Sequence, residues 1–142
     1  MTRGKSVAFA VLALMAVLPR TASAGVAVEI DVGSQTMEVY VNGSLRHAWP
    51  VSTGRRGYTT PGGSYGVKRL EANWYSREYD DAPMPHAIFF RGGYAIHGTY
   101  DTKRLGRPAS HGCVRLAPGN AAKLFNLVSR HGRGKTRISI NH

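Results

Sequence analysis

Between residues 26 and 52 the apolar positions recur at every second residue. Val26, Val28, Ile30 and Val32 share one parity against Glu29 and Asp31, the alternation of a half-buried strand. Gly33-Ser34 marks a turn. Met37, Val39 and Val41 then alternate with Glu38 and Tyr40, and Asn42-Gly43 is a hairpin signal that leads into a third run over 45–52. The pattern predicts a meander of three short strands. Residues 53–64 hold Gly54, Gly57, Pro61, Gly62 and Gly63 beside Arg55 and Arg56, and predict a loop that reverses the chain or rims a cleft. Residues 65–70 read as a further strand. Residues 71–85, with Trp74, Tyr75, Tyr79 and Pro83-Met84-Pro85, predict a long excursion whose aromatic side chains pin it to the domain rather than cap a groove. Two short apolar runs, 86–90 and 94–96, are joined by Arg91-Gly92-Gly93 and predict two buried strands, with His97 at the end of the second. One segment has helical spacing: Ala121, Leu124, Phe125 and Val128, with Pro118 near its first turn, Asn120 in the capping neighbourhood and Gly132 at its end. Residues 136–140 predict a last strand. The fold class expected is mainly β with one principal α-helix, the helix packing beside the segment that holds Cys113.

The first residues change the picture by giving the chain an address. Arg3 and Lys5 precede an unbroken apolar run over 7–18, and Ala22-Ser23-Ala24 offers a small-x-small cleavage site. The run is short for a bilayer span, and Pro19 and Arg20 close it. Residues 1–24 are therefore expected to be an export signal peptide and 25–142 the mature domain, long enough for one core without a second. Without Arg3, Lys5 and Arg20 the formal charge is about +8. Lys and Arg are scattered rather than gathered on a helix face, so nucleic acid is not the expected partner. An anionic wall polymer or membrane surface fits an exported protein better, the alternative being a charge that only keeps the domain soluble; insertion in the membrane is confined to the signal segment before cleavage. Oligomeric state is not legible.

The single cysteine, Cys113, cannot form an internal disulfide. It is a buried small hydrophobe, an intermolecular crosslink or a working thiol. Its neighbours favour the last. A thiol attacks a carbonyl as thiolate, and an imidazole that accepts its proton can return it to a leaving amine. His111, two residues before Cys113, would share its side in an extended segment; His97 sits where a strand can deliver it to the same cleft. Spacing does not choose between them. Gly112 leaves room for a reacting carbonyl, and the N–H groups of Gly112 and Cys113 are candidate oxyanion donors. Arg115 is suited to clamp a substrate carboxylate or to bond local carbonyls. Zinc is the competitor, through His97, His111 and Cys113, but His-Gly-Cys is a poor match to paired zinc-ligand spacings and no fourth ligand stands out, so no metal or other cofactor is expected. His47, His86, His131 and His142 carry no companion motif and default to surface or packing.

Tyr94-Ala-Ile-His97-Gly98-Thr99 followed by Ser110-His111-Gly112-Cys113-Val114-Arg115-Leu116 resembles the signature of the L,D-transpeptidase (YkuD-like) family of bacterial cell-wall enzymes, and Val51-Ser-Thr-Gly54 and Thr60-Pro-Gly62 are similar to its earlier segments. The resemblance spans essentially the whole mature chain. It implies a mixed, sandwich-like, mainly β catalytic fold, with Cys113 as nucleophile and His97 as base. Gly98 would orient the imidazole through its carbonyl, and His111 would support the oxyanion site and substrate placement. Ser110 and Tyr94, within the two motifs, are substrate-binding candidates. The implied reaction is acyl transfer on peptidoglycan stem peptides: Cys113 displaces a terminal D-residue, and a second amine takes the acyl group. A stem-peptide acceptor gives a 3→3 crosslink, a protein amine gives an anchored protein, and water makes the enzyme an L,D-carboxypeptidase. Carbapenems acylate such cysteines. A non-catalytic wall-binding domain is the alternative outside catalysis. The implied address is the periplasm or cell envelope.

Overall fold

The computed structural model describes residues 24–142; the expected export segment lies outside the described residues except for Ala24. Two mixed sheets carry the fold. The first contains β1 (Val26–Asp31), β2 (Thr36–Val41), β3 (Ser44–Pro50), β4 (Gly63–Gly66) and β9 (Thr136–Asn141), in the order β3-β2-β1-β9-β4. The second contains β5 (Arg69–Glu71), β6 (Ala87–Arg91), β7 (Tyr94–Gly98) and β8 (Val114–Leu116), in that order. β1 and β9 run parallel, as do β7 and β8; the other neighbours are antiparallel. The expected meander is present as β1–β3, and its parity holds: Val26, Val28, Ile30, Met37, Val39 and Val41 are buried.

One core lies between the sheets. Val28 and Ile30, Ile138 and Ile140 from the first sheet meet Ile88, Phe90, Ile96, Val114 and Leu116 from the second. The helix α1 (Pro118–His131) packs mainly on β7 and adds Ala121, Leu124, Leu127 and Val128 to the same core. Burial of the larger of these side chains, worth about 1.5–3 kcal/mol each, holds the two sheets and the helix as one unit. No helix among the described residues is long and apolar enough to cross a membrane.

Three expectations need correction. The strand expected over 65–70 divides at Val67-Lys68: β4 belongs to the first sheet and β5 to the second, so the chain changes sheet there. Tyr65 reaches across to Phe90, 5.2 Å between ring centroids, while Lys68 N–H already bonds Phe89 O at 2.8 Å. Local alternation looks the same whether or not the partner strand changes. The run over 45–52 stops as a strand at Pro50, and Ser52 leaves to pair with Arg115. Asn120 does not cap the helix: Ala117 is the N-cap, Pro118 takes the first helical position, and no side chain caps the end. Proline suits that position because its missing N–H would have no helical partner there.

Candidate active site

β7 and β8 bring the two motifs side by side. Their parallel register sets Ile96 opposite Val114 and His97 opposite Arg115, with Cys113 at the residue just before β8. Side chains alternate along a strand, and Ile96 and Val114 point into the main core. His97, Cys113 and Arg115 therefore face the other way, with Ala95, whose companions on that face are Met84, Ala87, Phe89 and Trp74. Above them opens a cavity of about 640 Å³, lined by His97, Cys113, His111, Ser110, Arg115 and Tyr94 among others. The structure thus gathers these six candidates around one space. Gly98 and Gly112 supply its backbone support.

His97 is 5% exposed, and its Nδ1 lies 2.7 Å from Gly98 O. A carbonyl only accepts, so Nδ1 carries the proton and Nε2 is left as the basic nitrogen. Gly98 is fixed in turn: its N–H donates to Pro85 O at 2.8 Å, and a Cβ there would lie 3.1–3.3 Å from Pro85, Ala121 and Pro118. Burial lowers the His97 pKa to about 4, the Gly98 carbonyl opposing it and Arg115 adding to it. Burial also raises the Cys113 thiol, against the Ala95 backbone and Arg115, which lower it. At neutral pH the resting pair is a neutral thiol and a neutral imidazole.

That depressed histidine has a consequence for stability. An unfolded chain protonates His97 below about 6.5, whereas the folded one holds it neutral to about 4. The gap corresponds to about 3 kcal/mol, present above pH 6.5 and lost as the pH falls towards 4. His97→Gln is expected to remove this part of the acid sensitivity. Denaturant midpoints between pH 7 and 4 check it: the wild type should lose about 3 kcal/mol more than the variant.

The loop before β8 is built by Ser110, buried to 1% exposure. Its Oγ donates to Cys113 O at 2.6 Å and accepts Gly112 N–H at 3.0 Å. Of the two expected oxyanion donors, Gly112 N–H bonds Ser110 Oγ, while Cys113 N–H meets no acceptor among the described residues. Gly112 is needed for its shape: φ is +120°, and a Cβ would lie 2.6 Å from Tyr94 Cε1. Tyr94 thus packs on the loop before β8 as well as lining the cavity. The segment 111–113 bends, which removes the basis for placing His111 and Cys113 on one side of an extended strand.

His111 stacks on Tyr79 at 4.0 Å and meets the edge of Tyr58 at 4.9 Å. Burial, Arg55 and Arg115 all lower its pKa, against Glu78. Arg115 Nη1 reaches Ala109 O at 3.4 Å, the local-carbonyl role, while its half-buried side chain still lines the cavity. Among the described residues no three His, Cys, Asp or Glu side chains converge as a metal site. Of the other histidines, His47 stacks on Trp49, His86 meets Phe125 edge-on, and His142 Nε2 lies 2.8 Å from Thr60 O.

Sequence reasoning missed several supports. The excursion over 71–85 does both things weighed for it: Trp74 pins it, edge-on to Phe89, whereas Tyr79 covers His111 in the cavity. Thr60, within a motif already noted, accepts Gly54 N–H at 2.9 Å and donates to Gly112 O at 2.8 Å. No spacing pattern points to Tyr58 or Gln35, because their partners are remote in sequence, and the Val51–Gly54 stretch does not by itself show what Thr53 holds.

A buried imidazole on β7 and a thiol at the residue before the parallel β8, opening into one cavity between a glycine-shaped loop and an aromatic wall, are the arrangement of a cysteine enzyme. The family model of the L,D-transpeptidase catalytic domain (YkuD) matches residues 25–140, and the chain belongs to that family of cysteine transpeptidases. A Bacillus subtilis protein named YkuD is 22% identical over 118 residues, 80% of this chain and 65% of that protein. An L,D-transpeptidase from Mycobacterium smegmatis has the same fold, with TM-score 0.75, 24% identity and coverage of 84% of this chain and 59% of that one. L,D-transpeptidase 3 from Mycobacterium tuberculosis, in complex with a faropenem-derived adduct, gives TM-score 0.71, 22% identity and coverage of 83% and 60%. The chain spans less than two thirds of the length of each of these three relatives.

Proposed function

We propose that this protein transfers acyl groups between peptidoglycan stem peptides through a thioester on Cys113. The observation that carries the proposal is the Nδ1–Gly98 O bond, which leaves His97 Nε2 as base on the face shared with Cys113. The thiol proton passes to Nε2 as Sγ attacks the carbonyl between the diamino acid's L-centre and the terminal D-residue. The tetrahedral oxyanion forms beside Cys113 N–H. The C–N bond then breaks, the leaving amine of the D-residue takes the proton from His97, and the thioester remains. An acceptor amine loses its proton to Nε2 as it attacks, and the thiol is regenerated. Because both groups are neutral at rest, the proton moves when substrate arrives rather than beforehand.

An amine from a second stem peptide gives a 3→3 crosslink, and one from a protein gives wall anchoring; water gives a carboxypeptidase. The periplasm or cell envelope is where such substrates are met. The adduct carried by the Mycobacterium tuberculosis relative supports a β-lactam as probe. Incubation with a carbapenem followed by intact and peptide mass spectrometry should add one drug mass to the peptide containing Cys113. Incubation with a tetrapeptide-bearing muropeptide should release the D-residue, and the products name the acceptor. A folded protein that gives neither adduct nor release would overturn the proposal and leave a wall-binding domain.

A further inference from the structure

Gln35 lies in the turn between β1 and β2, in the first sheet, away from the motif residues on β7 and β8. It is 4% exposed and has φ +54°, a conformation in which Asn, Asp or Gly is the usual occupant. A long side chain with a buried amide is a costly choice for a turn. Its backbone already serves the fold, since Gln35 O accepts Val51 N–H at 3.0 Å. The side chain does something else. Its Oε1 accepts Thr53 N–H at 3.0 Å, and its Nε2 donates to Thr53 Oγ1 at 2.6 Å and to Val32 O at 2.8 Å. The amide orientation follows from the partners, because an N–H needs the oxygen and a carbonyl needs the NH₂.

Thr53, fully buried, hands this constraint on. Its carbonyl accepts both Ala109 N–H at 2.9 Å and Ser110 N–H at 3.0 Å. Ser110 in turn holds Gly112 N–H and Cys113 O. On either side of Thr53, Ser52 exchanges two backbone bonds with Arg115, at 3.1 and 2.8 Å, and Arg55 N–H bonds Ser110 O at 2.9 Å. The segment 52–55 is thus a strap across both ends of the nucleophile loop, and Gln35 holds that strap from the opposite sheet.

We propose that Gln35 is a positioning residue for the nucleophile, fixing Cys113 relative to His97 through Thr53 and Ser110. The proposal rests on Cys113 being the acylated residue. Two substitutions break the link in different ways. Gln35→Asn suits the turn but is one methylene too short to hold both Thr53 groups; Gln35→Met keeps the length without the bonds. Val39→Ala, a core truncation on neighbouring β2 that makes none of these bonds, serves as the control for lost stability.

The test is the maximal rate of acylation by a carbapenem, separated from its non-covalent binding constant, at a temperature where every variant is folded. Both Gln35 variants are expected to lower that rate by about 100-fold with binding within threefold, and Val39→Ala to leave both within threefold. Backbone amide NMR signals of Gly112 and Cys113 should move in the Gln35 variants and stay in Val39→Ala. Wild-type rates and unmoved signals in the Gln35 variants would overturn the proposal, as would an equal loss in Val39→Ala. A wild type that never acylates would instead sink the acyl-enzyme function, and unmoved amide signals would then reject the relay separately.

Discussion

Cys113→Ala is expected to abolish carbapenem adduct formation and D-residue release, and His97→Gln to slow both by about 10²–10⁴. The difference in degree follows from what each side chain supplies. Without sulfur there is no atom to hold the acyl group, so no residual thioester exists. Without the imidazole the thiol remains, but burial keeps it protonated well above neutral pH. Its attack then depends on the small thiolate fraction, so the residual rate of His97→Gln should climb with pH until the thiol ionises. Stopped-flow acylation between pH 6 and 10 checks this. A His97→Gln rate within threefold of wild type at pH 7 would remove His97 from the base role.

Gly54→Ala is expected to cost about 3 kcal/mol, near the upper end for an overpacked site, and to lower acylation by about 100-fold where the variant still folds. An added Cβ would lie 1.7 Å from Tyr58 O and 3.0 Å from Thr60 N. Both obstacles are backbone, so no rotamer change relieves them, and the loop over 54–60 must open. Opening breaks the Gly54 N–H bond to Thr60 Oγ1, and with it the Thr60 contact to Gly112 O. It also strains the bridge between Gly54 and Ser110. Gly119→Ala is the contrast: it lies in α1 with nothing within 4 Å of the added carbon, and should stabilise the helix by up to about 1 kcal/mol. Thermal melts of the two variants beside wild type measure the difference. Equal stability of Gly54→Ala and wild type would show that the loop can rearrange freely.

Parity along the chain, turn signals and one stripe of helical spacing determined the meander, the helix and the mainly β class. Each depends on which face of a segment is apolar, and that is written locally. The two motifs determined the family, and residue chemistry singled out Cys113 with a histidine partner. The tertiary structure alone placed the two histidines: a parallel pairing of β7 with β8 sets His97 on the face of Cys113, while the bend at Gly112 turns His111 to Tyr79. Strand pairing depends on residues far apart in sequence, so no local pattern could encode it. The same holds for the change of sheet at Val67-Lys68, the capture of Gly112 N–H by Ser110, and the strap held by Gln35. Hydrogen bonds carry no periodic signature; they exist only once burial has brought their partners together and removed water as the alternative.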